Sequence, residues 1–403
     1  MKKTKNKWMK PRHNVVVTVL GMLLHPWLVG KHNVALTPIP KKEKRQYLIL
    51  MNHQTPFDQF FVARTFRWPV YYLATEDIFS LGFLSKLLRY AVAPIPIKKQ
   101  TMDVQAVLNC IRIAKEGGTI ALAPEGNRTY SGQTGYIKPS VVQLVRKLNL
   151  PLALFRIEGG YGSEPRWSDV VRRDKMRAYV SRIVEPEEMQ QMDDASLLAL
   201  IQTELYVDEA KAEGNFAHPQ SAEFLERMVY TCPDCGLSPW ESHGQICRCL
   251  TCGKEVRYLP TKELQCADGT FPYHFAADWY KAQCDFVNGL DLSAYTENAM
   301  FRDTVNIFDV ELYRKKKKLY SDVEMTLYGD RITAVAGEEV LVFPFADTAA
   351  VTVLGRNKLN IYSGEKVYQI KGSKRFNALK YVNIYHRAKH LREGNLHEQF
   401  LGL

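Results

Sequence analysis

The sequence predicts an α/β domain followed by a small metal-binding module and a mostly-β block. Three observations carry this. Over residues 47 to about 210, short apolar runs alternate with helix-period patterns. Two Cys-x-x-Cys-Gly turns begin at Cys232 and Cys249. From Asn306 onward, period-two alternation broken by tight turns takes over. A chain of 403 residues, 46% hydrophobic and 24% charged, has room for two or three domains of ordinary globular composition.

The net charge of +11 is concentrated at the start of the chain. Residues 1–48 hold eleven Lys/Arg and one acid, Glu43. Such a segment expects an anionic surface, lipid or nucleic acid. Between its basic clusters runs an apolar stretch, residues 15–29, with Trp8 and Trp27 near its ends and His25-Pro26 inside it. Basic flanks with aromatic ends fit a helix lying in the membrane interface, and the stretch is short for a straight span of ~20 residues. A core helix, a signal peptide and a true span are the rival readings, although no A-x-A-like site follows.

In order, 47–51 reads as a buried strand and 56–67 as a helix. A strand at 70–74, helical periodicity over 76–90, a short extended piece at 91–97 and a helix at 102–116 follow. A strand at 119–123, a helix near 138–148, strands near 151–157 and 177–184 and a helix at 194–211 complete the domain. Residues 212–222 read as a linker.

Two polar loops follow strands. The first is Asn52-His53-Gln54-Thr55-Pro56-Phe57-Asp58. Thr55 suits an N-cap and Pro56 a first helical position, which puts Asp58 in the first turn within reach of His53. A His–Asp pair can take a proton from a hydroxyl, because the carboxylate fixes the imidazole tautomer and stabilises the imidazolium. Alone, the pattern also fits a capped loop with no chemistry. The second loop is Pro124-Glu125-Gly126-Asn127-Arg128-Thr129. Loops beyond strand ends are where open α/β sheets bind ligands, though Glu125 and Arg128 also fit a surface ion pair.

Cys232, Cys235, Cys249 and Cys252 have the spacing of two zinc knuckles, each aiming two thiolates at one tetrahedral ion. Four cysteine ligands make a closed, structural Zn²⁺ site, with Cys247 a close neighbour of Cys249. The surrounding stretch is neither strongly basic nor aromatic, so nucleic acid is not the expected partner. Residues 275–287 read as a helix, and the alternating block closes with an amphipathic helix near 376–392. Strands closed by one helix are similar in pattern to the pleckstrin-homology or GRAM type. The basic run Arg314-Lys315-Lys316-Lys317-Lys318 sits in a hairpin, where it is either a solvated turn or a lipid contact.

Taken together, N-H-x4-D (Asn52, His53, Asp58) and P-E-G-x-R (Pro124, Glu125, Gly126, Arg128) resemble the glycerolipid acyltransferase family, which includes the 1-acyl-glycerol-3-phosphate acyltransferases. The resemblance covers about half the chain and implies a mixed-sheet acyltransferase-type domain. It implies His53 as general base and Asp58 as its orienting partner, with no acyl-enzyme. Lys98 stands where the family carries an arginine, keeping the charge but not the bidentate fork. The implied substrate-binding set is Lys98, Glu125, Gly126, Arg128 and Thr129, with Arg128 on the acceptor phosphate and Glu125 on the loop or the acceptor. Backbone N–H groups near Pro56, Phe57 and Asp58 would hold the oxyanion. The donor would be acyl-CoA or acyl carrier protein and the acceptor a lysophospholipid, foremost lysophosphatidate. Another lysolipid, glycerol 3-phosphate, or a non-catalytic membrane adaptor are the alternatives. The expected place of work is the cytoplasmic face of a membrane, peripheral or monotopic, on an anionic surface. The expected division is a membrane-interface segment (1–46), the acyltransferase domain (47–212), a zinc ribbon (223–260), a helical connector (261–300) and the PH/GRAM-like block (301–395).

Overall fold

The structure is a computed structural model and describes residues 7–80, 82–97, 103–311 and 313–395, without the side chains of Glu76 and Asp77. The chain divides into two compact units. The first comprises residues 1–128, 134–163 and 173–209; the second comprises 129–133, 164–172 and 210–403.

The first unit begins with α1 (Pro11–His32), which runs into β1 (Val34–Leu36). Then come β2 (Leu48–Met51), α2 (Asp58–Phe66), β3 (Val70–Thr75), α3 (Glu76–Phe79), α4 (Phe83–Ala91) and β4 (Ile95–Ile97). They are followed by α5 (Val104–Lys115), β5 (Thr119–Leu122), α6 (Ser140–Leu148), β6 (Leu152–Glu158), α7 (Gly160–Ser163), β7 (Met176–Val184), α8 (Pro186–Gln190) and α9 (Asp194–Leu205). Its seven strands form one mixed sheet in the order β1-β7-β6-β2-β5-β3-β4. Only β6 and β7 pair antiparallel.

β2 lies between β5 and β6 and is apolar throughout because both faces of the sheet are covered. Leu48 and Leu50 face a core shared with α5, α6 and α9, while Ile49 and Met51 face a core shared with α1 and α2. The loops after β2 and β5, at the carboxyl ends of two adjacent parallel strands, are the two polar loops singled out in the sequence.

α1 is a continuous helix of 22 residues, not one interrupted at His25-Pro26. By length and composition it is long and apolar enough to cross a membrane. Pro26 lies on its exposed side, and the lost backbone bond is offset by a face that packs on the domain through His13, Gly21, Leu28 and His32. Its start is tied down by Glu116, which accepts from the N–H groups of Trp8 (3.0 Å) and Met9 (2.9 Å). Arg12 donates to the Tyr90 carbonyl of α4 at 2.9 Å. The helical periodicity over 76–90 resolves into α3 and α4, parted at Gly82, whose φ of +66° no side chain adopts readily.

The second unit contains β8 (Thr231–Cys232), β9 (Gly236–Leu237), β10 (Trp240–His243), β11 (Ile246–Cys249), β12 (Glu255–Tyr258), β13 (Leu264–Cys266) and α10 (Ala276–Gly289). Seven longer strands follow: β14 (Phe301–Asp309), β15 (Lys317–Leu327), β16 (Arg331–Ala336), β17 (Glu339–Pro344), β18 (Thr348–Leu354), β19 (Lys358–Ser363) and β20 (Lys366–Lys371). The last helix is α11 (Leu379–Glu393). The seven strands make an antiparallel sheet in the order β17-β16-β15-β14-β20-β19-β18. One hydrophobic core unites Cys232, Cys249 and Val256 of the small sheets with Trp279 of α10, the inner residues of the large sheet, and Tyr381 and Tyr385 of α11. The basic run is tied locally: Lys316 donates to the Gln369 amide oxygen (2.8 Å) and Lys318 to that of Asn306 (3.2 Å).

Candidate active site and metal site

Asp58 is the fixed point of the first loop. It is fully buried and opens α2. Its Oδ2 accepts from His53 Nδ1 (2.7 Å) and the Gln54 N–H (2.7 Å). Its Oδ1 accepts from the Thr55 N–H (2.9 Å) and the Thr55 hydroxyl (2.7 Å). A carboxylate accepts only, so the imidazole carries its proton on Nδ1 and leaves the Nε2 lone pair for an incoming hydroxyl. The His53 side chain is 26% exposed, against 0% for Asp58, so the imidazole is reachable and its partner is not.

The loop differs from its expected form in three respects. α2 starts at Asp58 rather than near Pro56, and Thr55 serves the carboxylate instead of capping α2. The Phe57 N–H donates to Thr55 Oγ1 (3.1 Å), so it is taken and does not offer itself to an oxyanion. The reason is the buried charge: a carboxylate removed from water draws in every nearby donor.

The second loop closes on the first. Glu125 is 7% exposed and accepts from the His53 N–H through Oε1 (2.8 Å) and the Gly135 N–H through Oε2 (2.6 Å). It is a clasp between loops, not a surface ion pair. Burial pushes its carboxyl up to about 8 against the pull of those two amides, with Asp58 adding to the rise. Gly126 permits the turn at a φ of +73°, its N–H donating to the Ala123 carbonyl (3.0 Å). Arg128, 8% exposed, donates from Nε to the Gln54 carbonyl (3.3 Å). His53, Asp58, Glu125, Gly126 and Arg128 therefore belong to two loops joined by hydrogen bonds. Thr129 falls in the second unit, where its hydroxyl accepts from the Gly132 N–H (2.9 Å). Lys98 lies outside the described residues.

Asn52 has a role its sequence position did not announce. It is fully buried, donates to the Ile157 carbonyl (2.8 Å) and accepts from the Ile157 N–H (2.8 Å). The side chain thus continues the β2–β6 ladder one residue past β2, where the backbone turns away to present His53. An asparagine directly after an apolar strand is the only local signal of this.

In the second unit, the Sγ atoms of Cys232, Cys235, Cys249 and Cys252 lie within 4.8 Å of one another, and those of Cys232 and Cys252 are 3.8 Å apart. Burial pushes the Cys232 thiol up against the pull of the Asp234 and Cys235 amides, whereas the Lys254 amide pulls the Cys252 thiol down. The cluster can hold one metal ion. Cys247 stays out of it, buried in the core.

Residues 30–157 match the family described as acyltransferase. Over 134 residues the chain is 24% identical to a 1-acyl-sn-glycerol-3-phosphate acyltransferase of Borreliella burgdorferi, a match covering 32% of this chain and 53% of that protein. The chain thus spans about half the length of that curated relative. Among solved structures it is similar to the 1-acyl-sn-glycerophosphate (LPA) acyltransferase PlsC from Thermotoga maritima, with 17% identity and a TM-score of 0.40 over 48% of this chain and 76% of that one. It is also similar to the N-terminal PH domain of human ARAP2, with 16% identity and a TM-score of 0.19 over 25% and 84%. Family match and sequence relative agree with the two loops: residues 30–157 make an acyltransferase-family core domain, distantly related to 1-acyl-sn-glycerol-3-phosphate acyltransferases.

Proposed function

We propose that the chain transfers a fatty acyl group from acyl-CoA or acyl carrier protein to the hydroxyl of a lysophospholipid, 1-acyl-glycerol-3-phosphate, giving phosphatidic acid. The observation that carries this is the 2.7 Å bond from His53 Nδ1 to buried Asp58, which leaves Nε2 as the base. Nε2 takes the acceptor's hydroxyl proton as the oxygen attacks the thioester carbonyl. The tetrahedral intermediate expels the thiolate, which takes that proton back from His53. No covalent enzyme intermediate is needed. Arg128 binds the acceptor phosphate, with Lys98 and Thr129 assisting, and Glu125 and Gly126 hold the loop.

The four-cysteine cluster is proposed as a structural Zn²⁺ site in a ribbon of residues 223–260. A Zn–S distance of about 2.3 Å sets tetrahedral S···S edges of roughly 3.8 Å, and the Cys232–Cys252 separation is 3.8 Å. The strand order with β14 at the centre and α11 closing the chain supports a pleckstrin-homology-type reading of residues 301–395, with 261–300 as connector. α1 and the basic residues around it support residues 1–46 as a monotopic anchor at the cytoplasmic face.

The deciding experiment is transfer of labelled acyl groups from both donors to a set of lysolipids and glycerol 3-phosphate. Lysophosphatidate is expected as the best acceptor, with His53→Ala abolishing transfer while the metal content stays at one zinc per chain. Full activity in His53→Ala would remove the proposed base.

A further inference from the structure

The last turn of α1 meets the loop of the His–Asp pair. The Trp27 ring stands edge-on to the ring of Phe57, the residue before Asp58, with centroids 5.1 Å apart. His32 holds Phe57 from the buried side, at 5.3 Å, and also touches Phe61 at 6.2 Å. One turn beyond Trp27, Lys31 places Nζ 5.1 Å from the Trp27 ring centre and 4.9 Å from that of Phe57. Among the described residues Lys31 makes no ion pair with a carboxylate. Two π faces hold its ammonium in place without neutralising it, so the charge remains available to an anion.

Lys31 also ends a ridge. Val15, Val19, Leu23 and Trp27 precede it at steps of four, the spacing that aligns side chains in a row on a helix. They are 63%, 42%, 69% and 45% exposed, on a helix whose opposite side is buried. At 1.5 Å per residue the row from Val19 to Lys31 is about 18 Å long. An apolar row of that length ending in a fixed cation is complementary to a single-chain amphiphile with an anionic head.

We propose that this ridge is a capture site for a lysolipid phosphate monoester, its acyl chain along Val15, Val19, Leu23 and Trp27 and its phosphate on Lys31. Phe57 then lies beneath the headgroup and leads directly to Asp58 in sequence. The identity of this ligand as the acceptor rests on the acyl-transfer reading; the binding itself does not require turnover. Lys31 acts before Arg128: it takes the lipid out of the bilayer plane, and Arg128 holds the phosphate during reaction.

The test is flotation of the full chain with phosphatidylcholine vesicles carrying either lysophosphatidate or lysophosphatidylcholine. Wild type is expected to prefer the first about tenfold. Lys31→Gln should lose that preference and Lys31→Arg keep it, while Lys147→Gln, an equal charge loss at an exposed position of α6, should leave it unchanged. Leu23→Glu should weaken binding to both vesicles. An undiminished preference in Lys31→Gln overturns the site. So does release of wild type from the vesicles by equimolar glycerol 3-phosphate, which would make the ligand a free phosphate ester. If wild type binds as expected but transfers no acyl group, the acyl-transfer reading fails and the capture site stands.

Discussion

Four donors point at Asp58, one imidazole, two amides and a hydroxyl, and the carboxylate itself is closed to water. Asp58→Asn replaces one accepting oxygen with an NH2 group that must face a donor. The expected result is a fall in kcat of about 10²–10⁴-fold, because the imidazole loses the partner that sets its tautomer. A stability loss of about 1–3 kcal/mol accompanies it for the donor left unpaired. Pre-steady-state acyl transfer and urea unfolding read the two effects separately. Glu125 gives a pH signature. Its folded value near 8 exceeds the ordinary 4.5, so between those pH values the folded chain holds a proton that the unfolded chain has released. Stability from this group is therefore full below about pH 4.5 and falls as pH rises toward 8, by up to ~1.4 kcal/mol per pH unit. Comparing urea midpoints of wild type and Glu125→Gln at pH 5, 6, 7 and 8 isolates it; parallel pH profiles would contradict this account.

Among the elements, β2 and α1 place the chemistry. β2 was legible because a strand covered on both faces must be apolar at every position, as Leu48, Ile49, Leu50 and Met51 are. The side-chain bridge from Asn52 to Ile157 was not, since its partner is about a hundred residues away and nothing local marks it. Asn52→Ala should cost about 1–3 kcal/mol for each backbone group left unpaired. It should also lower kcat, because the turn that presents His53 loses its tether to β6; thermal unfolding and turnover of the same variant check both. The continuity of α1 through Pro26 was equally hidden. A proline's local cost is visible in sequence, but the packing of Gly21, Leu28 and His32 that offsets it is not. The exposed row on α1 makes a further prediction. Val19→Glu should weaken vesicle binding yet leave the unfolding midpoint nearly unchanged, since the side chain is 42% exposed.

Across the whole molecule, the order of sheets followed from periodicity, and the metal knuckles from spacing. What no local pattern revealed is that two short stretches of the first half of the chain belong to the second unit. Residues 129–133 begin directly after Arg128, and residues 164–172 follow α7. Tyr130 and Trp167 are buried in the second unit's core. Tyr130 donates its hydroxyl to the Arg356 carbonyl (2.6 Å), and Arg166 donates from Nε to that of Gly355 (2.8 Å) while covering the Tyr130 ring at 4.3 Å. Arg227, itself buried, grips Asp169 through both terminal nitrogens, at 2.7 and 3.0 Å. These partners lie some sixty to two hundred residues later, out of reach of any window-based reading. A fragment ending after residue 209 keeps the whole seven-stranded sheet of the first unit and the two polar loops up to Arg128. It nevertheless leaves Tyr130, Arg166 and Trp167 without their core, and exposing two large aromatic side chains costs roughly 1.5–3 kcal/mol each. Because Thr129 follows Arg128 directly, the loss falls next to the P-E-G-x-R loop. The fragment is therefore expected to have a lower unfolding midpoint than the full chain's first-unit transition and to bind a hydrophobic dye at Trp167. A fragment of 1–209 as stable and as active as the full chain would show that these two excursions contribute nothing to the site.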